Sequence, residues 1–209
     1  MTAPFDRLRA QPFDKLRGAL AADPRPRTLG FDRTPRGERA AAVLMLFTRD
    51  ADPSLTFVTR AETLRNHAGQ VALPGGAVDP GDIDATDTAL REAEEEVGLA
   101  PEFVEVLGAL PTYVPGSSFL ITPVVALVRP DCVLRPNPYE VADLFEVPLD
   151  FLLNPANHRH HAFEANGVVR NWLSMPYMDR GPQRFVWGAT AGMIRNLYRF
   201  LAASGAQPA

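Results

Sequence analysis

The residues best suited to chemistry lie in one stretch, Leu73–Leu99, which reads LPGGAVDPGDIDATDTALREAEEEVGL. It opens on Gly75–Gly76, a pair that predicts a sharp turn because glycine takes positive φ without steric cost. An acidic loop with Asp79, Asp82 and Asp84 follows, and the spacing then predicts a helix over Thr86–Val97 with Gly98 at its C-cap. At about 100° per residue, Ala89, Leu90, Ala93 and Val97 share one face, while Glu92, Glu95 and Glu96 share another. Like charges at i and i+4 repel by a few tenths of a kcal/mol even when exposed. Either water solvates this acidic face, or a divalent cation turns the repulsion into attraction. Mg²⁺ takes oxygen ligands, keeps several waters, and bridges carboxylates to substrate phosphates.

With their neighbours, these residues resemble the Nudix box, G-x5-E-x7-R-E-U-x-E-E-x-G-U, where U is aliphatic. Arg91, Glu92, Ala93, Glu95, Glu96, Gly98 and Leu99 match its second half, with Ala93 standing in for a bulkier aliphatic residue. The first half departs: five residues after Gly76 comes Asp82 in place of Glu, and one extra residue separates it from Arg91. Upstream, Phe57–Gly76 (FVTRAETLRNHAGQVALPGG) is similar to the signature that precedes the box in coenzyme A pyrophosphatases of this superfamily, approximately LLTxRS-x3-RxHxGQVxFPGG. Arg60, Arg65, His67, Gly69, Gln70, Pro74, Gly75 and Gly76 match, whereas Val58, Ala61 and Leu73 depart.

The resemblance implies a Nudix-type α/β/α sandwich with a mixed central sheet, within the α/β (α+β) class. It also implies a metal-dependent diphosphatase in which Glu92, Glu95 and Glu96 hold Mg²⁺ or Mn²⁺. The expected substrate is a small molecule, coenzyme A or acyl-CoA, split into 3′,5′-ADP and (acyl-)4′-phosphopantetheine. Two rival readings are a Nudix hydrolase of ADP-ribose or a dinucleotide, and a Nudix module that senses a nucleotide without cutting it. The intact glutamates weigh against the sensor, which has no need of a metal cluster.

Pyrophosphate bonds persist in water because their charge repels a nucleophile, so neutralising that charge and activating water are the two tasks of a catalyst. A carboxylate within hydrogen-bond reach of the attacking water takes its proton. Glu140, outside the box in Pro138-Tyr139-Glu140-Val141, is the candidate, with Glu92 the alternative. Arg91 either contacts phosphate or, four residues before Glu95, pairs with it; we read it as structural, like Gly98. Arg60 and Arg65 are candidate substrate contacts, because guanidinium forks match phosphate oxygens and coenzyme A carries a 3′-phosphate besides its diphosphate. His67 donates to a phosphate or caps its loop, and Gly75 and Gly76 lie at the expected substrate position. His158, His160 and His161 have poor helical zinc spacing and read as a polar loop.

The rest of the chain must position these groups. Its 209 residues suit one domain with an extension, and its 46% hydrophobic and 22% charged content is ordinary for a globular protein. A formal net charge of −4 argues against general affinity for nucleic acid. A single cysteine, Cys132, excludes an internal disulfide. No segment approaches the ~20 apolar residues that span a bilayer, and the N-terminus (Asp6, Arg7, Arg9) lacks a secretory apolar core, so a cytoplasmic protein is expected. A homodimer is the family-level expectation.

Residues 1–36 form an extension, 37–204 the Nudix domain and 205–209 a tail. The extension repeats PFDRLRAQ as PFDKLRGA, predicting a short helix before a linker with Pro24, Pro26 and Pro35. Strands are predicted at Ala40–Phe47, Leu55–Thr59, Phe103–Leu110, Phe119–Val128, Tyr139–Val147, Val168–Leu173 and Arg184–Trp187. Leu149–Leu153 predicts a short helix and Ala189–Ala202 an amphipathic one.

Overall fold

The structure is a computed structural model, which describes residues 12–22, 38–115, 119–165, 167–178 and 181–203. In chain order its first elements are α1 (Pro12–Ala22), β1 (Arg39–Thr48), β2 (Ser54–Arg60), β3 (Val71–Ala72), β4 (Gly75–Ala77), α2 (Ala85–Val97) and β5 (Val104–Ala109). There follow β6 (Phe119–Val128), β7 (Val141–Pro148), α3 (Leu149–Leu153), β8 (Arg159–Ala165), β9 (Val168–Met178), β10 (Gln183–Trp187) and α4 (Gly188–Ala203).

An apolar run with no polar alternation has no solvent face, and Ala40–Phe47 accordingly lies in the middle of a seven-stranded mixed sheet as β1. Ala42, Leu44 and Leu46 join one core layer, and Met45 and Phe47 the other. β1 pairs in parallel with β6 over its whole length, Arg39 opposite Phe119 through Thr48 opposite Val128. Its other edge is shared: Phe47 meets Leu55 of β2, while Ala41–Val43 meet β4, both antiparallel. β2 pairs along its length with β7, and β5 closes the far side against β6. Helix α2 packs its buried Ala89, Ala93 and Val97 on one face of this sheet. The other face carries Leu16 and Leu20 of α1, Leu152 and Leu153 of α3, and Ile194 and Leu197 of α4. The architecture is the α/β/α sandwich expected from the sequence.

Pro123 sits inside β6, where a missing N–H would ordinarily break a ladder. Here the missing N–H falls just past the end of β5: that pairing stops at Ala109 opposite Val124, and Pro123 O accepts from Leu110 N–H at 2.8 Å.

Several expectations change in three dimensions. Gly75–Gly76 make no sharp turn; they belong to strand β4, whose glycines are required by close approach. A Cβ on Gly75 would lie 2.4 Å from Ala42 O and 2.6 Å from Val43 Cα, and φ there is 151°. Two of the three histidines do not lie in a loop. His160 and His161 belong to β8, the outer strand of a second, three-stranded antiparallel sheet, and His158 is buried just before it. Phe103 ends a 3₁₀ turn, so β5 begins at Val104; Asn137–Glu140 form a turn, so β7 begins at Val141. In the extension, the second repeat unit forms α1, pinned by Arg17 pairing with Glu105 of β5, which also pairs with Arg49. The first unit and the proline-rich linker lie outside the described residues.

Gly75→Ala is expected to cost about 1–3 kcal/mol in urea unfolding, whereas Gly81→Ala, whose Cβ would meet no atom within 4 Å, should unfold near the wild-type midpoint.

Candidate active site

Helix α2 is set at both ends by its own sequence. The Asp84 carboxylate accepts from the Thr86 and Asp87 N–H groups at 2.7 and 3.0 Å, and Gly98 closes the helix in the left-handed region at φ 65°. These caps and the small buried residues Ala89 and Ala93 hold α2 against β1 and β4, so Glu92 and Glu96 come up beneath the Gly75–Gly76 backbone.

Glu96 is only 3% exposed. Its Oε2 accepts the Gly75 N–H at 3.0 Å, and its Oε1 lies 3.5 Å from Arg60 Nη1. Burial pushes its carboxyl up to about 7; Glu92 and Glu140 add to the rise, and the Gly75 hydrogen bond and Arg60 only partly offset it. Glu92 occupies the space Gly76 leaves empty, because a Cβ there would meet its carboxyl carbon at 2.4 Å. Burial raises its proton affinity too, with Glu95 and Glu140 adding like charge and Arg91 opposing. Glu140 stands in the Asn137–Glu140 turn, receiving Asn137 Nδ2 at 3.4 Å. That turn is tied to both neighbours: Asn137 N–H bonds Glu96 O at 2.8 Å, and Ala61 N–H bonds Glu140 O at 2.8 Å. The structure thus brings Glu92, Glu96 and Glu140 into one electrostatic neighbourhood. Glu95 stands apart, exposed, with Arg91 3.6 Å away.

Arg91 is engaged differently from the sequence expectation. Its main partner is Asp82 rather than Glu95: Nε and Nη2 reach the two Asp82 oxygens at 2.9 and 3.0 Å. Nη1 donates to Glu92 Oε1 at 2.9 Å, and Nη2 also to Ala77 O at 3.2 Å. Asp82 further accepts Asp79 N–H and Thr88 Oγ1–H, both at 2.8 Å. Held first by Arg91, its carboxyl lies well below the ordinary carboxylate range, and Arg91 lies correspondingly high. The extra residue in the box is absorbed in the loop, and Asp82 still meets the arginine. Sequence spacing alone obscured this pair.

Among the candidate substrate contacts, Arg60 lines the site, and its buried Nε makes no hydrogen bond. The loop from Ala61 to Gln70 returns to β2 through Arg60 N–H to Gln70 O and Gly69 N–H to Arg60 O, each 3.0 Å. On it His67 takes φ 57° and its Nδ1 lies 3.1 Å from Gln70 Oε1, while Arg65 is exposed. Away from this site, His158 Nε2 bonds Leu152 O at 2.7 Å, and His161 stacks on Trp172.

Among the described residues, no three Asp, Glu, His or Cys side chains already converge on one point. A hard cation such as Mg²⁺ binds through one or two carboxylates, water and substrate phosphates, and the neighbouring carboxylates Glu92 and Glu96 fit that donor set. Glu92 and Glu96 are the carboxylates that would hold it, and the like charges that raise their proton affinity are what a cation would relieve.

The NUDIX domain model matches residues 38–166, and the chain belongs to the Nudix family. It is a Nudix hydrolase, of a family that acts on nucleoside diphosphate derivatives and generally uses divalent ions such as Mg²⁺ or Mn²⁺. It is 43% identical over 168 residues to the Escherichia coli (strain K12) protein named uncharacterized Nudix hydrolase NudL, covering 80% of this chain and 85% of that protein. The Cronobacter sakazakii NudL is 44% identical over 170 residues, covering 80% and 85%. Among solved structures, the Nudix hydrolase RenU of M. smegmatis is 26% identical with a TM-score of 0.46, covering 55% of this chain and 73% of that one.

Asp82→Asn should leave the fold intact while weakening Mg²⁺ activation of turnover about 10–100-fold, as loss of a partner behind a ligand does; metal titration of the rate measures it. Glu96 binds more protons folded than unfolded between its ordinary value of 4.5 and about 7. Metal-free protein should therefore lose on the order of 1–3 kcal/mol of stability as pH rises through that interval. Thermal unfolding in chelator should show this slope, flattened in Glu96→Gln.

Proposed function

We propose that the protein hydrolyses the diphosphate bond of coenzyme A or an acyl-CoA, releasing 3′,5′-ADP and 4′-phosphopantetheine or its acyl form. The observation that carries this reading is the company Glu96 keeps: a buried carboxylate beside the Gly75 N–H and Arg60, with Glu92 and Glu140 close enough to raise its proton affinity. Specificity for coenzyme A is supported by Arg60, Arg65, His67, Gly69, Gln70 and Pro74, which match the signature preceding the box in that branch. Two of those residues, Arg60 and Gln70, bracket the loop that borders Glu96.

Glu92 and Glu96 would hold a divalent ion, which when bound would neutralise charge on the diphosphate and lower the pKa of water. The chain's own residues do the rest. Arg60, partly exposed beside Glu96, supplies a guanidinium for the phosphate oxygens. Glu92 is tied to the Arg91 guanidinium, which leaves Glu140 freer to act as base. As the oxygen of water bonds to one phosphorus, its proton passes to Glu140, and the bond from that phosphorus to the bridging oxygen breaks. The bridging oxygen leaves on the second phosphate, so each product gains one phosphomonoester, and 3′,5′-ADP keeps its 3′-phosphate besides. The same reading takes the protein as cytoplasmic and homodimeric.

Hydrolysis of coenzyme A in ¹⁸O water with Mg²⁺ or Mn²⁺, followed by mass spectrometry, should give 3′,5′-ADP and 4′-phosphopantetheine with label on one of them. A preference for ADP-ribose or a dinucleotide would replace the substrate and leave the site. Glu92→Gln and Glu96→Gln should cut turnover by orders of magnitude, and Glu140→Gln by about 10²–10⁴, with circular dichroism unchanged.

A further inference from the structure

Between the second sheet and α4 lies a cavity of about 600 Å³, within the range of about 300–1,000 Å³ usual for small-molecule sites. Its lining includes Arg170 of β9, Arg195 and Arg199 of α4, and His160 of β8, and no carboxylate. In a chain of net charge −4, three guanidinium groups around one concavity are a local reversal of sign. Arg195 and Arg199 stand at i and i+4, where like charges repel. Arg195 Nη1 lies 2.6 Å from His160 Nε2. Arg170 and Arg199 form no ion pair with any described residue. Burial and the Arg199 charge push Arg195 below its ordinary value.

The uncharged part of the wall is aromatic. Trp172 is half-buried and held by His161, whose ring stacks on it at a centroid distance of 4.0 Å. Tyr113 reaches the cavity because α4 carries Gly192, where a Cβ would lie 2.4 Å from the Tyr113 hydroxyl oxygen. One wall of the cavity is tied to β3, the strand just before Gly75. Its lining residues Gly188 and Ala189 precede Thr190, whose hydroxyl bonds Val71 O at 3.3 Å. From Val71 the chain reaches Gly75 in four residues, at most about 14 Å.

We propose that this cavity binds the end of the substrate that is not cleaved, with Arg170, Arg195 and Arg199 on a phosphomonoester and Trp172 or Tyr113 against the nucleoside ring. Guanidinium forks pair with phosphate oxygens in two-pronged fashion, and with no carboxylate among the described lining residues that role falls to the ligand. This deepens the coenzyme A reading above and rests on it, since a 3′-phosphate is what such a cluster would distinguish.

The test compares wild type with Arg170→Ala and Arg199→Ala, both exposed positions, on coenzyme A and on dephospho-coenzyme A. The ratio of kcat/KM for the two substrates should fall at least tenfold in each variant, through KM for coenzyme A. 3′,5′-ADP should inhibit wild type competitively and each variant at least tenfold more weakly. An unchanged ratio and unchanged inhibition would overturn the proposal. Noncompetitive inhibition would also overturn it, by placing the anion on a separate effector. If wild type cleaves neither coenzyme A compound but turns over another nucleoside diphosphate, the substrate reading fails on its own. Calorimetric titration with 3′,5′-ADP then decides the cavity: binding lost in both variants supports it, and binding retained by them or absent from wild type overturns it.

Discussion

A carboxylate that is almost wholly withdrawn from water governs this structure. Glu96 is placed under the Gly75 backbone by the packing of α2, and its charge is met by one N–H and one arginine at 3.5 Å. An isolated buried charge is costly enough that the group ordinarily takes a proton instead. The fold supplies two further carboxylates rather than a second cation, so the metal-free site is electrostatically unfinished. Everything that shapes it serves closeness: a strand of glycines, a helix with alanines on its inner face, and a turn stitched to both.

Around this deficit the rest of the box acts as a rigid frame. Arg91 gathers Asp82, Glu92 and the Ala77 carbonyl at once, joining the acidic loop, the helix and β4 through one planar group. A lysine would supply the charge without the fork that meets both Asp82 oxygens. Because the clasp fixes Glu92 through Arg91 while packing fixes Glu96, the two carboxylates are oriented by independent means.

Much of this was legible in the chain. Helix α2 with its Gly98 cap, strand β6, helix α3 and helix α4 follow from local periodicity and caps, which neighbouring elements only reinforce. Strands β3 and β4 span two and three residues and exist by virtue of the strands they pair with, so no window of sequence could announce them. Strand β8, RHHAFEA, carries polar residues that look like a loop until β9 supplies its ladder. On a helical wheel Glu96 groups with Glu92 and Glu95, yet it borders Val97, and tertiary packing draws it inward while leaving Glu95 in water. The i, i+4 spacing of Arg195 and Arg199 was visible, but Arg170 joins them from another element, and only the fold puts the three around one space.

The proline in β6 also acts before any sheet exists. β1 and β6 are long, apolar and almost free of charge, and they are separated in sequence by residues 49–118, so both stay uncovered while that wide loop closes. Such segments are prone to stack with copies of themselves in cross-β fashion, and a proline within the run opposes that stacking. By placing Pro123 just past the end of β5, the native sheet keeps a guard against aggregation in the middle of one of its most apolar strands.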